Sequence, residues 1–118
     1  MIKRIDVSSR FSEVAIYNGV AYLAGQVPTD ETQNAYCQTQ QVLSEIDKYL
    51  AKADSDKSRI LMATVYLADM ADYDEMNRAW DEWVAPNNAP PRACVEARLA
   101  NPNWKVEIVV NAVCSIKE

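Results

Sequence analysis

Two neighbouring stretches near the end of the chain decide its fold: Pro90-Pro91-Arg92-Ala93-Cys94-Val95-Glu96-Ala97-Arg98-Leu99 and Lys105-Val106-Glu107-Ile108-Val109-Val110-Asn111-Ala112-Val113. Both predict β-strands, the first by alternation and the second by its β-branched residues. The paired prolines fit neither a helix interior nor a central strand, so Arg92 is expected where a loop meets a strand. The alternation puts Arg92 and Cys94 on one face, while Glu107 interrupts a strongly apolar run.

Glycine marks two positions in the first third of the chain. The Asn18-Gly19 pair predicts a type I′ turn that joins strands over residues 14–17 and 20–24. Gly25 is the other of only two glycines. It indicates either a close approach of the backbone to another group or a strand end that needs positive φ.

Two helices and one doubly apolar strand are predicted for the middle of the chain. Apolar residues at i, i+3, i+4 and i+7 predict a long helix over residues 32–53, with Asp30 or Thr32 as its cap, and a second helix over residues 74–84. The run Ile60–Leu67 is apolar on both faces, as expected of a strand covered on both sides. This order of elements predicts an α+β fold: a mixed β-sheet with both helices on one face.

Length and charge restrict the domain count and the partners. The 118 residues fit one domain, residues 1–118. A net charge of −5 without a cluster of Lys and Arg argues against nucleic acid. Neither a secretory segment nor a run of 18 apolar residues is found, so we expect no membrane partner and a cytoplasmic protein.

The residue types restrict the chemistry. Three cysteines at long separations form no disulfide or zinc motif, and the absence of histidine removes the commonest metal ligand and proton shuttle. No glycine-rich phosphate loop occurs. The sequence therefore predicts no metal and no cofactor, and chemistry that depends on Arg, Glu, Tyr, Cys, backbone groups and water.

Taken from the residues alone, the two candidate site residues have plain interpretations as well as functional ones. The guanidinium of Arg92 can bind a carboxylate through two parallel hydrogen bonds, or it can be a surface charge or half of a structural salt bridge. An ionised Glu107 in an apolar strand is costly, so it should pair with a cation such as Lys105 or Arg98, or its pKa should rise.

Several motifs resemble those of the YjgF/RidA family, in the order and spacing that the family shows, from about Arg10 to Val113. They are Ala24-Gly25-Gln26-Val27-Pro28, Pro91-Arg92-Ala93-Cys94-Val95 and Val106-Glu107-Ile108. Within the family the chain is most similar to the YoaB type, through Met76-Asn77-Arg78-Ala79-Trp80-Asp81 and Asn101-Pro102-Asn103-Trp104-Lys105-Val106-Glu107. The resemblance implies a chorismate-mutase-like fold and a homotrimer whose sheets face inward.

The resemblance also implies a site for a small carboxylate substrate at an interface between subunits. Arg92 would bind the substrate carboxylate, and Glu107 would position a hydrolytic water. The other matching positions are Phe11, Gly25, Asn77 and Cys94, with Cys94 offering its backbone N–H. Asn77 lies off the buried stripe of its helix, so an Asn that merely faces water is the alternative.

The implied activity is that of an enamine/imine deaminase, which converts reactive 2-imino acids to 2-oxo acids and ammonia without a cofactor. Three positions depart from the family's pattern: Phe11 where Tyr is common, Ala24 where Ser is common, and Val109 where a second Glu often stands. The departures at Val109 and Phe11 favour the alternative function, a non-catalytic binding or regulatory module that holds a 2-oxo or short carboxylic acid on Arg92.

Overall fold

The computed structural model describes residues 1–116. Its regular elements are β1 (Lys3–Val7), β2 (Ser12–Tyr17), β3 (Val20–Leu23), α1 (Ala35–Lys52), β4 (Ile60–Leu67), α2 (Tyr73–Trp83), β5 (Arg92–Glu96) and β6 (Val106–Val113). The strands form one sheet in the order β1-β2-β3-β6-β4-β5. Only β4 and β5 are parallel, so the predicted mixed sheet is confirmed.

The hairpin β2–β3 forms around the turn that the sequence predicts. Asn18 and Gly19 have φ values of 50° and 75°, as a type I′ turn requires. The sequence analysis missed β1, which pairs antiparallel with β2. This short strand has two apolar residues, and of these Ile5 packs against the core while Val7 is exposed, so the alternation was too short to indicate a strand.

Helix α1 begins later than the sequence predicts, and its cap is Asn34. The Oδ1 atom of Asn34 accepts a hydrogen bond from the backbone N–H of Cys37 at 2.9 Å. The predicted caps serve the preceding turn instead, where Asp30 accepts hydrogen bonds from the backbone and the hydroxyl of Thr32. The apolar stripe of α1 lies in the core, with Val42, Leu43, Ile46 and Leu50 buried.

Helix α2 connects the parallel strands β4 and β5 and therefore crosses back over the sheet. The sequence predicts that its buried stripe consists of Met76, Ala79, Trp80, Trp83 and Val84. The first three are buried, whereas Trp83 and Val84 are only partly buried and Val84 follows the end of the helix. Strand β5 ends at Glu96, earlier than the stretch to Leu99 suggests, because its partner β4 ends at Leu67. Within residues 1–116 no helix is long and apolar enough to cross a membrane.

The two faces of the sheet differ in what covers them. Side chains on one face, such as Ala63, Val65 and Ile108, are completely buried beneath both helices, as the sequence predicts. On the other face nothing within residues 1–116 packs on the sheet. Apolar and aromatic side chains remain exposed there: Tyr17, Tyr22, Met62, Val95 and Val113. We call this the open face.

We predict that the open face is buried against other copies of the chain, because covering apolar surface is worth about 25 cal/mol per Å². The resemblance described above implies that three copies do this, as a homotrimer. Tyr22→Glu puts a charge on that face, where the Tyr22 side chain is 50% exposed in one chain. Sedimentation should show a trimer for the wild type and smaller species for this variant. Ala51→Glu, which adds the same charge to an exposed position of α1, should stay trimeric. A wild-type monomer at micromolar concentration would contradict the prediction.

Candidate functional site

Arg92 opens β5, the strand at one edge of the sheet, and its side chain lies against α2. The guanidinium is 3.5 Å from the hydroxyl of Tyr73 and 3.7 Å from the sulfur of Met76. Its central carbon is 5.2 Å from the centroid of the Trp80 ring. We call Tyr73, Met76, Trp80 and Arg92 the Arg92 cluster.

No carboxylate within residues 1–116 forms an ion pair with Arg92, because the salt bridges found there are Lys48–Glu45 and Lys52–Asp6. The interpretation of Arg92 as half of a structural salt bridge is therefore wrong for the single chain. A partly buried guanidinium without a counter-charge is well suited to bind the carboxylate of a ligand.

Cys94 shares the face of Arg92, since the two residues pair with Ala63 and Val65 of β4. Its side chain packs against the core, and burial raises the pKa of the Cys94 thiol although the charge of Arg92 opposes this shift. A thiol of this kind is a poor nucleophile. The carbonyl of Pro91 and the N–H of Ala97 bond to β4, so the alternation of the ladder directs the N–H of Cys94 to the free edge.

Glu107 lies on the open face, opposite Tyr66 of β4. Its carboxylate forms no ion pair with Lys105, Arg98 or any other cation within residues 1–116. Burial instead raises the pKa of Glu107 above the ordinary value of 4.5. Of the two outcomes that the sequence allowed for this residue, the perturbed pKa is therefore the one found.

Gly25 is in contact with Glu107. A Cβ atom at position 25 would lie 2.1 Å from Oε2 of Glu107 and 3.0 Å from its Cδ. Among the described glycines only Gly19 has positive φ, so the backbone conformation does not require glycine at position 25. The predicted close approach is confirmed, and the group approached is the carboxylate.

Phe11 and Asn77 are connected less directly to the Arg92 cluster and to Glu107. Phe11 lies in the β1–β2 turn, 54% exposed, at the end of the sheet where Ala24 donates a backbone hydrogen bond to Glu13. Asn77 is half-buried in α2, one turn after Tyr73, and its side chain has no hydrogen-bond partner in the described part of the chain. Their predicted contacts with a ligand stay predictions.

One chain does not bring Arg92 and Glu107 together. On β4 their partners are Ala63 and Tyr66, an odd number of residues apart, so the two side chains leave opposite faces of the sheet. They are also two strands and three residues apart, about 14 Å in the plane of the sheet at a spacing of about 4.8 Å and a rise of about 3.3 Å. A small substrate that contacts both residues must lie between two chains.

The neighbours of Arg92 in the Arg92 cluster were not predicted from the sequence. Its pattern placed Met76 and Trp80 in the buried stripe only, and Tyr73 in the turn before the helix. The three residues have the spacing i, i+3 and i+7, and a helix that crosses between parallel strands presents such a face to the second strand. That combination is the signal that could have found them.

Volume alone does not locate the site. A hollow of about 650 Å³ lies beside the loop that follows β5 and includes neither Arg92 nor Glu107. Its lining residues are Ala68, Glu96, Ala97, Arg98, Leu99, Ala100, Asn101, Pro102 and Trp104. Within residues 1–116 no group of side chains lies where it could hold a metal ion.

Comparison with known proteins gives consistent similarities. A family model described as Endoribonuclease L-PSP matches residues 1–114. A RutC family protein of Haemophilus ducreyi is 84% identical over 112 residues, which cover 95% of this chain and 96% of the relative. The RutC family protein YoaB of Escherichia coli is 47% identical over 111 residues, with coverages of 94% and 96%.

A solved structure agrees. NMB1025 of Neisseria meningitidis, described as a member of the YjgF protein family, superposes with a TM-score of 0.95 at 47% identity and covers 99% of this chain and 98% of its own. The resemblance that the motifs indicated is therefore confirmed over nearly the whole chain.

The contact between Gly25 and Glu107 makes a testable prediction about stability. Gly25→Ala should lower the free energy of unfolding, because the new methyl group meets the Glu107 side chain. In a Glu107→Ala background the same change should cost much less, since the three atoms nearest to the new methyl group all belong to the Glu107 side chain. Urea unfolding of the four variants at equal protein concentration measures this coupling. Equal costs in both backgrounds would contradict it.

Proposed function

Because the chain belongs to the YjgF/RidA family, whose model is described as Endoribonuclease L-PSP, we propose that it is an enamine/imine deaminase. Its substrates are reactive 2-imino acids, and its products are 2-oxo acids and ammonia. The observation that carries the proposal is Arg92, a permanent positive charge at an open strand edge that no carboxylate within residues 1–116 neutralises.

The chemistry needs little beyond orientation. Arg92 holds the carboxylate of the imino acid through two parallel hydrogen bonds, and the edge N–H of Cys94 supplies a further donor. Water attacks the carbon of the C=N bond, the nitrogen takes up a proton, and the tetrahedral adduct loses ammonia to leave the 2-oxo acid. Such imines already hydrolyse in water, so holding the substrate and one water in place accelerates the reaction without a strong acid or base.

Glu107 suits the handling of that water. Its carboxylate forms no ion pair within residues 1–116, and its raised pKa brings proton exchange closer to neutral pH than for an ordinary Glu. Since Arg92 and Glu107 leave opposite faces of the sheet, the proposed site combines Arg92 of one chain with Glu107 and Gly25 of its neighbour. Phe11 of the same neighbour completes the wall in this arrangement.

One observation favours a second candidate, a module that binds a 2-oxo or short carboxylic acid without turnover. The next residue on the Glu107 face of β6 is Val109, so that face offers no second carboxylate beside Glu107 to orient water. Loss of a freshly generated imine, followed with and without the protein, separates the candidates. Acceleration supports the deaminase, whereas binding of a 2-oxo acid without acceleration supports the module.

Nucleic acid is not part of the proposal, although the family model's description names an endoribonuclease. The chain has 12 basic and 17 acidic residues and no histidine, which leaves it with a repulsive net charge toward phosphates. The Arg92 cluster contains one cation only, whereas binding the phosphate backbone of a nucleic acid needs several.

Arg92→Lys and Glu107→Gln should affect different kinetic constants. Lysine replaces the two parallel donors of the guanidinium by a single ammonium group, so kcat/KM should fall by about 10- to 100-fold, mainly through KM. Loss of the Glu107 charge should lower kcat by about 100-fold with little change in KM. Arg59→Lys, immediately before β4, where the arginine donates to the carbonyl of Asp54, and Glu45→Gln, on α1, are the matched controls. Unchanged hydrolysis in Arg92→Lys would remove Arg92 from the site.

The pH dependence follows from the raised pKa of Glu107. The carboxylate form holds the water, so the catalysed rate should fall as the pH is lowered through this pKa, beginning above the ordinary value of 4.5. The uncatalysed rate of imine loss is subtracted at each pH. The residual catalysed rate of Glu107→Gln should not show this fall at low pH.

Mixed assemblies test whether two chains share one site. Arg92→Lys and Glu107→Gln subunits, each impaired separately, should show a higher kcat/KM when they are unfolded, mixed and refolded together than either variant alone, because some interfaces then carry both native residues. Two preparations of the same variant, mixed in the same way, are the control. Absence of recovery in verified mixed assemblies would place Arg92 and Glu107 in separate sites.

A further inference from the structure

Helix α2 presents one face to the guanidinium of Arg92. Tyr73, Met76 and Trp80 follow one another at i, i+3 and i+7 on that face. Met76 and Trp80 are buried, whereas the side chain of Tyr73 is 39% exposed. Tyr73 is therefore the member of the Arg92 cluster that both contacts the guanidinium and reaches solvent.

These neighbours orient the guanidinium without neutralising it. An arginine carries five N–H donors, and within residues 1–116 one faces the Met76 sulfur and one faces the Tyr73 oxygen. Both acceptors are uncharged, and the Trp80 ring supplies a face rather than an acceptor. Three donors and the full positive charge remain for a ligand.

The position of Tyr73 is fixed from the strand that carries Arg92. Glu96, at the end of β5, accepts a hydrogen bond from the N–H of Met70 at 2.9 Å. Asp69 caps the same turn by accepting from the N–H of Ala71 at 2.9 Å. The turn that begins α2 is thus hydrogen-bonded to the end of β5. This contact fixes where α2 begins relative to β5, and with it the distance between Tyr73 and Arg92.

We propose that Tyr73 is a positioning residue that holds the Arg92 guanidinium in the orientation that receives a substrate carboxylate. The proposal rests on the proposed function in so far as Arg92 is the carboxylate site. The Tyr73 hydroxyl lies 3.5 Å from one Nη group and its ring restricts the movement of the Arg92 side chain, while the other N–H groups remain available to a carboxylate. Its contribution is to binding, and it appears in KM rather than in kcat.

The chain contains a matched control pair of Tyr and Arg. Arg78 lies over the ring of Tyr36, with its central carbon 3.6 Å from the ring centroid. The hydroxyl of Tyr36 donates to the carboxylate of Glu82, so it makes its own bond between the helices. Removal of this hydroxyl tests the loss of a tyrosine O–H that contributes to packing and not to Arg92.

The first measurement needs no ligand. Side-chain NMR of the assembled protein gives the order parameter of the Nε–Hε bond of Arg92 in the wild type, Tyr73→Phe and Tyr36→Phe. We expect a lower order parameter in Tyr73→Phe only. An unchanged value in Tyr73→Phe would overturn the proposal whatever the protein's activity is.

The second measurement connects this order to function. The affinity for pyruvate, a non-reactive 2-oxo acid, should fall by about three- to tenfold in Tyr73→Phe, as for the loss of one hydrogen bond. KM of imine hydrolysis should rise by the same factor while kcat stays within about twofold. Tyr36→Phe should change neither constant, even where it lowers stability.

The outcomes distinguish this inference from the proposed function. Reduced order of Arg92 with unchanged pyruvate affinity and unchanged KM would reduce Tyr73 to a packing neighbour and overturn the inference. A wild-type protein that neither binds pyruvate nor accelerates imine loss would overturn the proposed function and, with it, the carboxylate role given to Tyr73. The order parameters would still report whether Tyr73 restrains Arg92.

Discussion

The register of β4 against its two neighbours is the constraint on which the rest of the structure depends. Ala63 of β4 lies beside Arg92 of β5, and Tyr66 lies beside Glu107 of β6. Because side chains alternate between faces, the odd separation of these two partners sends the cation and the carboxylate to opposite sides of the sheet. A slip of one residue in either pairing would put the two side chains on the same side of the sheet, and it would also turn the buried side chains of the strand that slips to the open face. The packing of the core therefore fixes the placement of the site residues.

A buried amide fixes the segment that precedes Glu107. Gln38 of α1 is completely buried, and its Nε2 donates to the carbonyls of Gln33 at 3.0 Å and Asn103 at 3.2 Å. Its Oε1 accepts the backbone N–H of Lys105 at 2.8 Å. One side chain thus joins the start of α1 to the start of β6, and a buried polar group that is fully hydrogen-bonded specifies a single geometry. Without this amide, the loops that precede α1 and β6 would lose the hydrogen bonds that join them.

Within residues 1–116 the two charged residues of the proposed site have no partner of opposite charge. Arg92 has aromatic and sulfur neighbours there, and burial beside Gly25 raises the pKa of Glu107. Both side chains are half-buried, and each departs from the rule that a charge removed from water is paired. Such departures concentrate where a protein binds something. Here the complementary charges lie on opposite faces of one chain, so association of chains offers each of them a place in a common site.

The sequence by itself determined the features that depend on local chemistry. The Asn18-Gly19 turn, the bounds of Ile60–Leu67 and the close approach at Gly25 follow from turn geometry, from hydrophobic periodicity and from the missing side chain of glycine. The candidate residues also followed, through motifs that keep their spacing along the chain. Only the tertiary structure decided what surrounds them. The edge strand β1 and the contact of Tyr73 with Arg92 depend on which strands pair and where a crossing helix comes to lie. Those choices are made by packing between separate elements, and alternation within one segment carries no information about them.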